Sequence, residues 1–278
     1  MALLFHELRR LAIRPRTWIG FGVFLALEII FFAMLRHPEV QQAFSRLLTS
    51  NGLDDTRYAR GMTLALMSVM FTFVMIGSLY ITLVSGDIVA KETEEGTMRL
   101  ILARPVSRQR MLLAKIFACT LHTTLLVVFM TGTSLLLARL FSGAWGGLFF
   151  FMPEAKVVAF HDGAEAWKHL LIAFTLLALN AQLISALAFF FSCCNIKAAA
   201  ATILALSCLF IDFVLAQMPW FESFHVFFLS WNFDAWRRAL WDPAPWALIG
   251  RSECLLVGLT LAFYALGVAR FCSRDLKS

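Results

Sequence analysis

Charge is scarce in this chain. Of 278 residues only 15% are Asp, Glu, Lys or Arg, against 60% apolar. That shortage excludes an ordinary soluble globular domain, which carries roughly a quarter of its residues charged. The six cysteines contain no CxxC pair and no metal-like spacing with histidine, so no zinc or redox motif is present. Cys119, Cys208 and Cys254 fall in or beside apolar runs and read as small apolar filler. Nothing in the spacing supports a thiol or metal role for the adjacent Cys193 and Cys194. A Gly-rich loop ending in GK[ST] is also missing, which leaves this chain without a phosphate-loop site for hydrolysing ATP. The formal charge of +6 has no soluble basic domain behind it. It reads as attraction to a membrane surface rather than to nucleic acid. No small-residue cleavage site follows the basic start, Arg9, Arg10, Arg14 and Arg16, which argues against a secretory leader. No internal repeat is visible.

What is abundant is phenylalanine, 28 residues, and long apolar runs. Six segments, near 17–35, 62–84, 113–140, 167–192, 198–218 and 250–271, are long enough to span about 30 Å of hydrocarbon at about 1.5 Å per residue. The expected fold is therefore all-α: a single polytopic membrane domain, 1–278, with six transmembrane helices. Orientation follows from Lys and Arg. With the amino terminus inside, inner segments carry fourteen and outer segments ten of the 24, the sign the positive-inside rule requires. Seven of the eight tryptophans, all but Trp18, would then sit at the outer interface, where amphipathic rings prefer to be. Both termini are expected to be cytoplasmic.

Residues 1–15 read as a basic amphipathic helix. Met1, Leu4, Leu8, Leu11 and Ala12 lie on one face, His6, Arg9, Arg10 and Arg14 on the other. Such a helix should lie in the inner headgroup plane until Pro15 breaks it. The outer segment 219–249, aromatic throughout but dotted with Glu222, Asp234, Arg237, Arg238 and Asp242, is expected to be re-entrant. It would comprise short helices dipping into the outer leaflet or covering a cavity mouth, their backbone satisfied by protein or water. Between the second and third spans lies a charged island, 85–115, with six Lys/Arg and four Asp/Glu, too many for a bilayer centre. Ser85-Gly86 is expected to end the second span. A short acidic helix then follows from Asp87, in which Glu92, Glu95 and Arg99 share a face. Ser107 is a plausible cap for a helix carrying Arg108, Arg110 and Lys115. On composition alone this island could be a solvated loop obeying the positive-inside rule.

Several polar residues fall at membrane depth. An acid near the bilayer centre costs about 2.5–3.5 kcal/mol on insertion scales. Glu28 and Asp212 are candidates to line a substrate or proton path, or else to make buried helix contacts. Arg139 and Glu253 lie toward the outer ends of their spans and could pair. His122, Asn180 and Gln182 are expected to hold helices together.

The string GDIVAKETEEGTMRLILARPVSRQRMLLAK resembles the signature of ABC-2 type permeases, the membrane subunits of one class of ATP-binding-cassette transporter. The matching elements are Glu94-Glu95-Gly96-Thr97, Leu100 to Leu102, Arg104-Pro105-Val106-Ser107-Arg108 and Lys115. The likeness covers about thirty residues, far more than a lone motif, and the layout of interfacial helix, six spans and outer re-entrant segment agrees across the chain. The resemblance implies that 85–98, within a coupling loop 85–112, is a coupling helix seated on a separate cytoplasmic ATPase, present in two copies and holding the ATP and Mg. It implies a second permease subunit, expected as a homodimer in the bacterial inner membrane, and export as the direction. The coupling residues it implies are Glu92, Glu94, Glu95, Gly96 and Thr97, with Arg104, Pro105, Ser107 and Arg108 fixing the adjacent turn. No cofactor or metal is expected in this chain, and no nucleic-acid partner. A competing pattern is Glu94-Glu95…Arg99 with Phe221…His225, which resembles motifs of CAAX-type intramembrane proteases. There a Glu activates water and histidines assist. In the expected topology Glu94 and His225 lie a bilayer apart, and no His-x-x-x-Asn follows. A non-transporting ATPase-coupled device is the third class. The cargo is not readable.

Overall fold

A computed structural model describes residues 2–13, 15–50, 58, 60–98, 107–152, 155 and 157–273. Two helices open the chain, α1 (Ala2–Ile13) and α2 (Pro15–Met34). Pro15 does not merely break α1. It starts α2 at a position where a missing N–H costs nothing. Helix α3 (Pro38–Ser50) follows. Helix α4 (Gly61–Thr72) runs through one π turn (Phe73–Gly77) into α5 (Ser78–Glu94). Then come α6 (Arg108–Ser142), the strands β1 (Leu148–Met152) and β2 (Val157–His161), α7 (Gly163–Cys193) and α8 (Ala198–Ala216). A 3-10 stretch (Pro219–Phe227), the short α9 (Leu229–Phe233) and α10 (Ala235–Arg238), and α11 (Trp246–Cys272) complete the chain.

Six helices are long and apolar enough to cross a membrane: Thr17–Met34, Gly61–Glu94, Arg108–Ser142, Gly163–Cys193, Ala198–Ala216 and Trp246–Cys272. This is the architecture of an integral membrane protein. The two helices flanking the charged island have 34 and 35 residues. Each is about 50 Å long, against about 30 Å of hydrocarbon, so their charged ends project beyond it. All six helices are found where the apolar runs place them, four of them with longer ends.

The helical polytopic fold is as expected, with two differences in detail. The first is an added antiparallel hairpin, which pairs Leu148 with His161 through Met152 with Val157. It docks on the start of α4, where Thr63 Oγ1 accepts from Phe149 N at 2.9 Å and donates to Gly147 O at 3.2 Å. The loop carbonyls of Ala144 and Trp145 accept from Gly61 and Met62 N, satisfying donors that a helix start leaves open. The second difference concerns Ser85-Gly86, which does not end the second span. Both are buried inside a continuous helix. Ser85 Oγ meets Ser185 Oγ at 2.8 Å, and a Cβ on Gly86 would stand 2.8 Å from Thr202 Oγ1. Small residues bring α5 against α7 and α8. The break comes at Gly96, whose φ of 72° is open to glycine without strain.

The segment after α8 descends far into the bundle. Its helical pieces are short and broken, so the polar groups at each break need partners. Asp212 accepts from Leu229 N at 2.9 Å and Ser230 N at 2.7 Å. Asn232 Nδ2 donates to Val226 O and Phe228 O, and Arg238 Nη2 to Trp231 O at 2.7 Å. Asn180 Nδ2 donates to Phe233 O, His169 Nδ1 to Ala239 O and His161 Nε2 to Leu240 O. Asn180 stands about 25 Å along α7 from Gly163, which fixes how deep Phe233 lies. Its ring stacks on Phe73 of the π turn at 5.9 Å. The Arg238 guanidinium lies over the Trp231 ring at 4.4 Å. Burial pulls it below its ordinary pKa, with Asp234 opposing.

Asp212, near the end of α8, thus caps the start of α9. Asp212→Ala should destabilise the protein by about 1–2 kcal/mol, the range for a lost cap. Limited proteolysis should then cut first within 219–245. Unchanged protection there would remove the capping role.

Candidate functional site

The charged residues of the island separate into a buried cluster and an exposed tip. The cluster joins three elements. Lys115 Nζ donates to Glu92 Oε1 at 2.6 Å and to both carboxylate oxygens of Glu7, at 3.1 and 3.2 Å. Arg10 also donates to Glu92 Oε1. Lys115 is 0% exposed, Glu92 1% and Glu7 5%. Two acids face two bases, so the cluster is electroneutral. It ties α1 to the end of α5 and the start of α6. Glu92 is therefore turned into the protein, and the expectation that it faces a partner is corrected. Glu95, expected on the same face as Glu92, approaches Lys91 at 4.0 Å; Arg99, the third residue of that face, lies outside the described residues. Lys115 is enclosed rather than carried along the membrane surface. Glu7 was given no role by the sequence, yet it sits on the apolar stripe of α1 beside Leu4, Leu8 and Leu11. A carboxylate on that stripe, and a lysine within the apolar run from Met111 to Cys119, were the visible signals.

The tip consists of Glu94, Glu95 and Gly96, all exposed. Glu94 Oε2 accepts from Ala198 N at 3.4 Å, placing a negative charge at the positive end of α8. Thr97 is half-buried and its hydroxyl donates to Glu92 O, folding the turn back on the helix. Ser107 caps α6, its hydroxyl accepting from Arg110 N, as its position suggests. Arg108 donates to Cys272 O at 3.5 Å, linking the island to the end of α11. Arg104 and Pro105 lie outside the described residues. The tip is the end of a helix that continues through the membrane, and Ser192 Oγ, on α7, accepts from both Val89 N and Ala90 N.

The other polar residues fall elsewhere. Arg139 does not reach Glu253. Its guanidinium lies 5.8 Å from the Trp145 ring centroid, and neither Glu253 carboxyl oxygen has a hydrogen-bond partner. The expected ion pair is absent because α6 and α11 direct these side chains to different neighbours. Glu28 is fully buried, and neither of its carboxyl oxygens has a hydrogen-bond partner within 3.5 Å. Glu28 and Glu253 are thus two acids within the spans whose carboxyl groups no hydrogen bond accounts for. Gln182 Nε2 donates to Thr124 Oγ1 at 3.1 Å, bridging α7 and α6 as anticipated, and Asn180 holds the descending segment. His122 does not act as glue through its nitrogens, which lack partners. It packs between the Phe21 and Tyr80 rings. All six cysteines are free, and no group of three or more His, Cys, Asp or Glu suited to a metal occurs among the described residues.

Residues 23–277 match the family described as "Protein of unknown function (DUF2705)". The chain belongs to this family. The match takes in all but the start of the first span and every later one. It includes Glu92, Lys115 and the Glu94–Gly96 tip, whereas Glu7 and Arg10 on α1 precede it. No curated protein matches the sequence.

Proposed function

We propose that the chain is the permease subunit of an ABC-2 type exporter. It would form the translocation pathway and couple ATP hydrolysis on a separate subunit to movement of substrate out across the membrane. The observation that carries this reading is the exposed Glu94-Glu95-Gly96 tip, at the end of a helix continuous with the second span and within a string resembling the permease signature. In this reading two cytoplasmic ATPase subunits, holding ATP and Mg, seat the tip. α1 lies at the inner surface, both termini are cytoplasmic, and a second copy of the chain completes the pathway in the bacterial inner membrane. Pro219–Arg238 is a re-entrant element closing the outer end of the bundle. Glu28 is the residue on which a substrate path is best sought. The protease pattern is the weaker reading. Glu94 contacts the first residue of α8 and His225 lies beyond its last, so about 28 Å of helix separates them, too far to share a water. A non-transporting device would use the same tip, and substrate flux separates it from a transporter.

Gentle extraction of the tagged chain from its native membrane should bring down a soluble subunit carrying a phosphate-loop lysine, in stoichiometric amount. Purification of the chain alone, after both mild extraction and crosslinking, would count against the permease and redirect attention to a self-contained membrane protein.

A further inference from the structure

A cavity of about 590 Å³ opens between α1 and the end of α5, lined by His6, Arg9, Arg10, Ile13, Pro15, Lys91 and Glu95. Its volume is in the range of ligand sites. Arg10 is already balanced by Glu92 in the buried cluster, so Arg9 and Lys91 against Glu95 leave the wall one positive charge in excess, which favours an anion. Arg9 is exposed and makes no ion pair among the described residues. The Lys91–Glu95 pair at 4.0 Å is half exposed, the kind of pair that contributes little by itself. The floor is different. Ile13 and Pro15 are apolar and lead directly to the start of the first span at Thr17. Beside them Trp18 is 68% exposed and its indole N–H donates to Ala12 O. An exposed tryptophan at a span end marks the boundary between headgroups and hydrocarbon. The cavity therefore places cations at phosphate height and apolar side chains below.

We propose that this cavity binds an anionic glycerophospholipid from the leaflet nearest the amino terminus. Its phosphate lies between Arg9, Arg10 and Lys91, and its acyl chains pass over Ile13 and Pro15 toward Trp18. Free phosphate shares the headgroup chemistry but has no use for the apolar lip, and basic pockets beside membrane helices recognise lipid headgroups in this way. The site also touches the buried cluster. Arg10 lines the cavity and pairs with Glu92, so an occupying phosphate draws on the same guanidinium that joins α1 to α5. Lipid composition would thereby bias how firmly α1 holds the end of the second span. This site does not depend on the permease proposal.

The test uses the full chain, stripped of lipid by detergent exchange and titrated with short-chain phosphatidylglycerol, short-chain phosphatidylcholine or inorganic phosphate. Bound molecules are counted by native mass spectrometry. Saturable binding of phosphatidylglycerol over phosphatidylcholine is expected. The double variant Arg9→Gln with Lys91→Gln should weaken it by about thirtyfold, since each surface cation contributes about fivefold. Arg9→Lys with Lys91→Arg should retain it, and Arg251→Gln at the far end of α11 should leave it unchanged. Equal binding of the two lipids, or wild-type affinity in the double variant, would overturn the site. Displacement of the lipid by inorganic phosphate alone would overturn its lipid assignment. None of these readouts involves ATPase or transport activity, so failure here is distinct from failure of the permease reading.

Discussion

Lys115→Ala is expected to be the most damaging single substitution in the chain, costing about 3–5 kcal/mol and abolishing recovery of folded protein. The reason is what it leaves behind rather than what it removes. Glu7 and Glu92 would keep their burial and lose the ammonium that both accept from. Breaking a buried ion pair on one side strands a desolvated charge, which is why such losses exceed the net worth of the pair. Arg10, half-buried and already on Glu92, would be left as a single cation facing two buried acids. The triple variant Glu7→Gln, Glu92→Gln, Lys115→Met should be far milder than Lys115→Ala, because it removes the stranded charges with their partner. Thermal unfolding in detergent, with a double-mutant cycle on Glu7 and Lys115, measures the coupling directly. High salt should not reproduce the loss, since screening acts weakly on buried pairs. A Lys115→Ala protein as stable as wild type would remove the cluster as a structural element.

The same cluster shows what the sequence could and could not disclose. The spans were legible because hydropathy over some twenty residues is a summed signal that no single side chain can cancel. The segment 219–249 carried a weaker signal. Aromatics interrupted by Asp234, Arg237 and Arg238 fit neither a span nor a solvated loop, and membrane depth then demands that protein satisfy the backbone. Which residues would do so was not legible. Asp212, His161 and His169 reach carbonyls and amides far away in sequence, and no local spacing encodes such partners. The hairpin was missed although its residues carry the signal: Leu148–Met152 and Val157–His161 are rich in Phe and Val, and Gly146 and Gly147 precede the first strand. In a chain so apolar, two five-residue runs do not stand out. Ser85-Gly86 resembles a helix stop locally, yet the glycine there serves close approach to Thr202 on another helix. At the candidate site, local chemistry was readable and direction was not. The capping role of Ser107 follows from one residue and its successors, whereas the burial of Glu92 depends on Glu7 and Lys115 arriving from two other helices.

Glu95→Lys should separate coupling from folding. Glu95 is exposed and its contact with Lys91 is loose, so the substitution should leave stability within about 0.5 kcal/mol of wild type. If the tip seats on an ATPase subunit, the reversed charge must instead be buried against a surface shaped for an acid. Losing one partner of a buried interfacial charge pair costs about 2 kcal/mol or more, some thirtyfold in Kd. Glu95 is the sharper probe than Glu94, whose carboxylate also caps α8 and whose loss would mix a folding effect with a coupling one. Gly96→Val should act in the same direction through the backbone, because a β-branched residue at φ 72° costs about 1–3 kcal/mol and would tilt the tip. The two measurements that decide are retention of the soluble subunit during purification and stimulation of its ATPase by the reconstituted chain. Both should fall in Glu95→Lys while the melting transition stays in place, and the Lys115→Ala protein should fail the melting measurement first. Full stimulation by Glu95→Lys would leave the tip a solvated turn at the end of a long helix, and the coupling assignment would go with it.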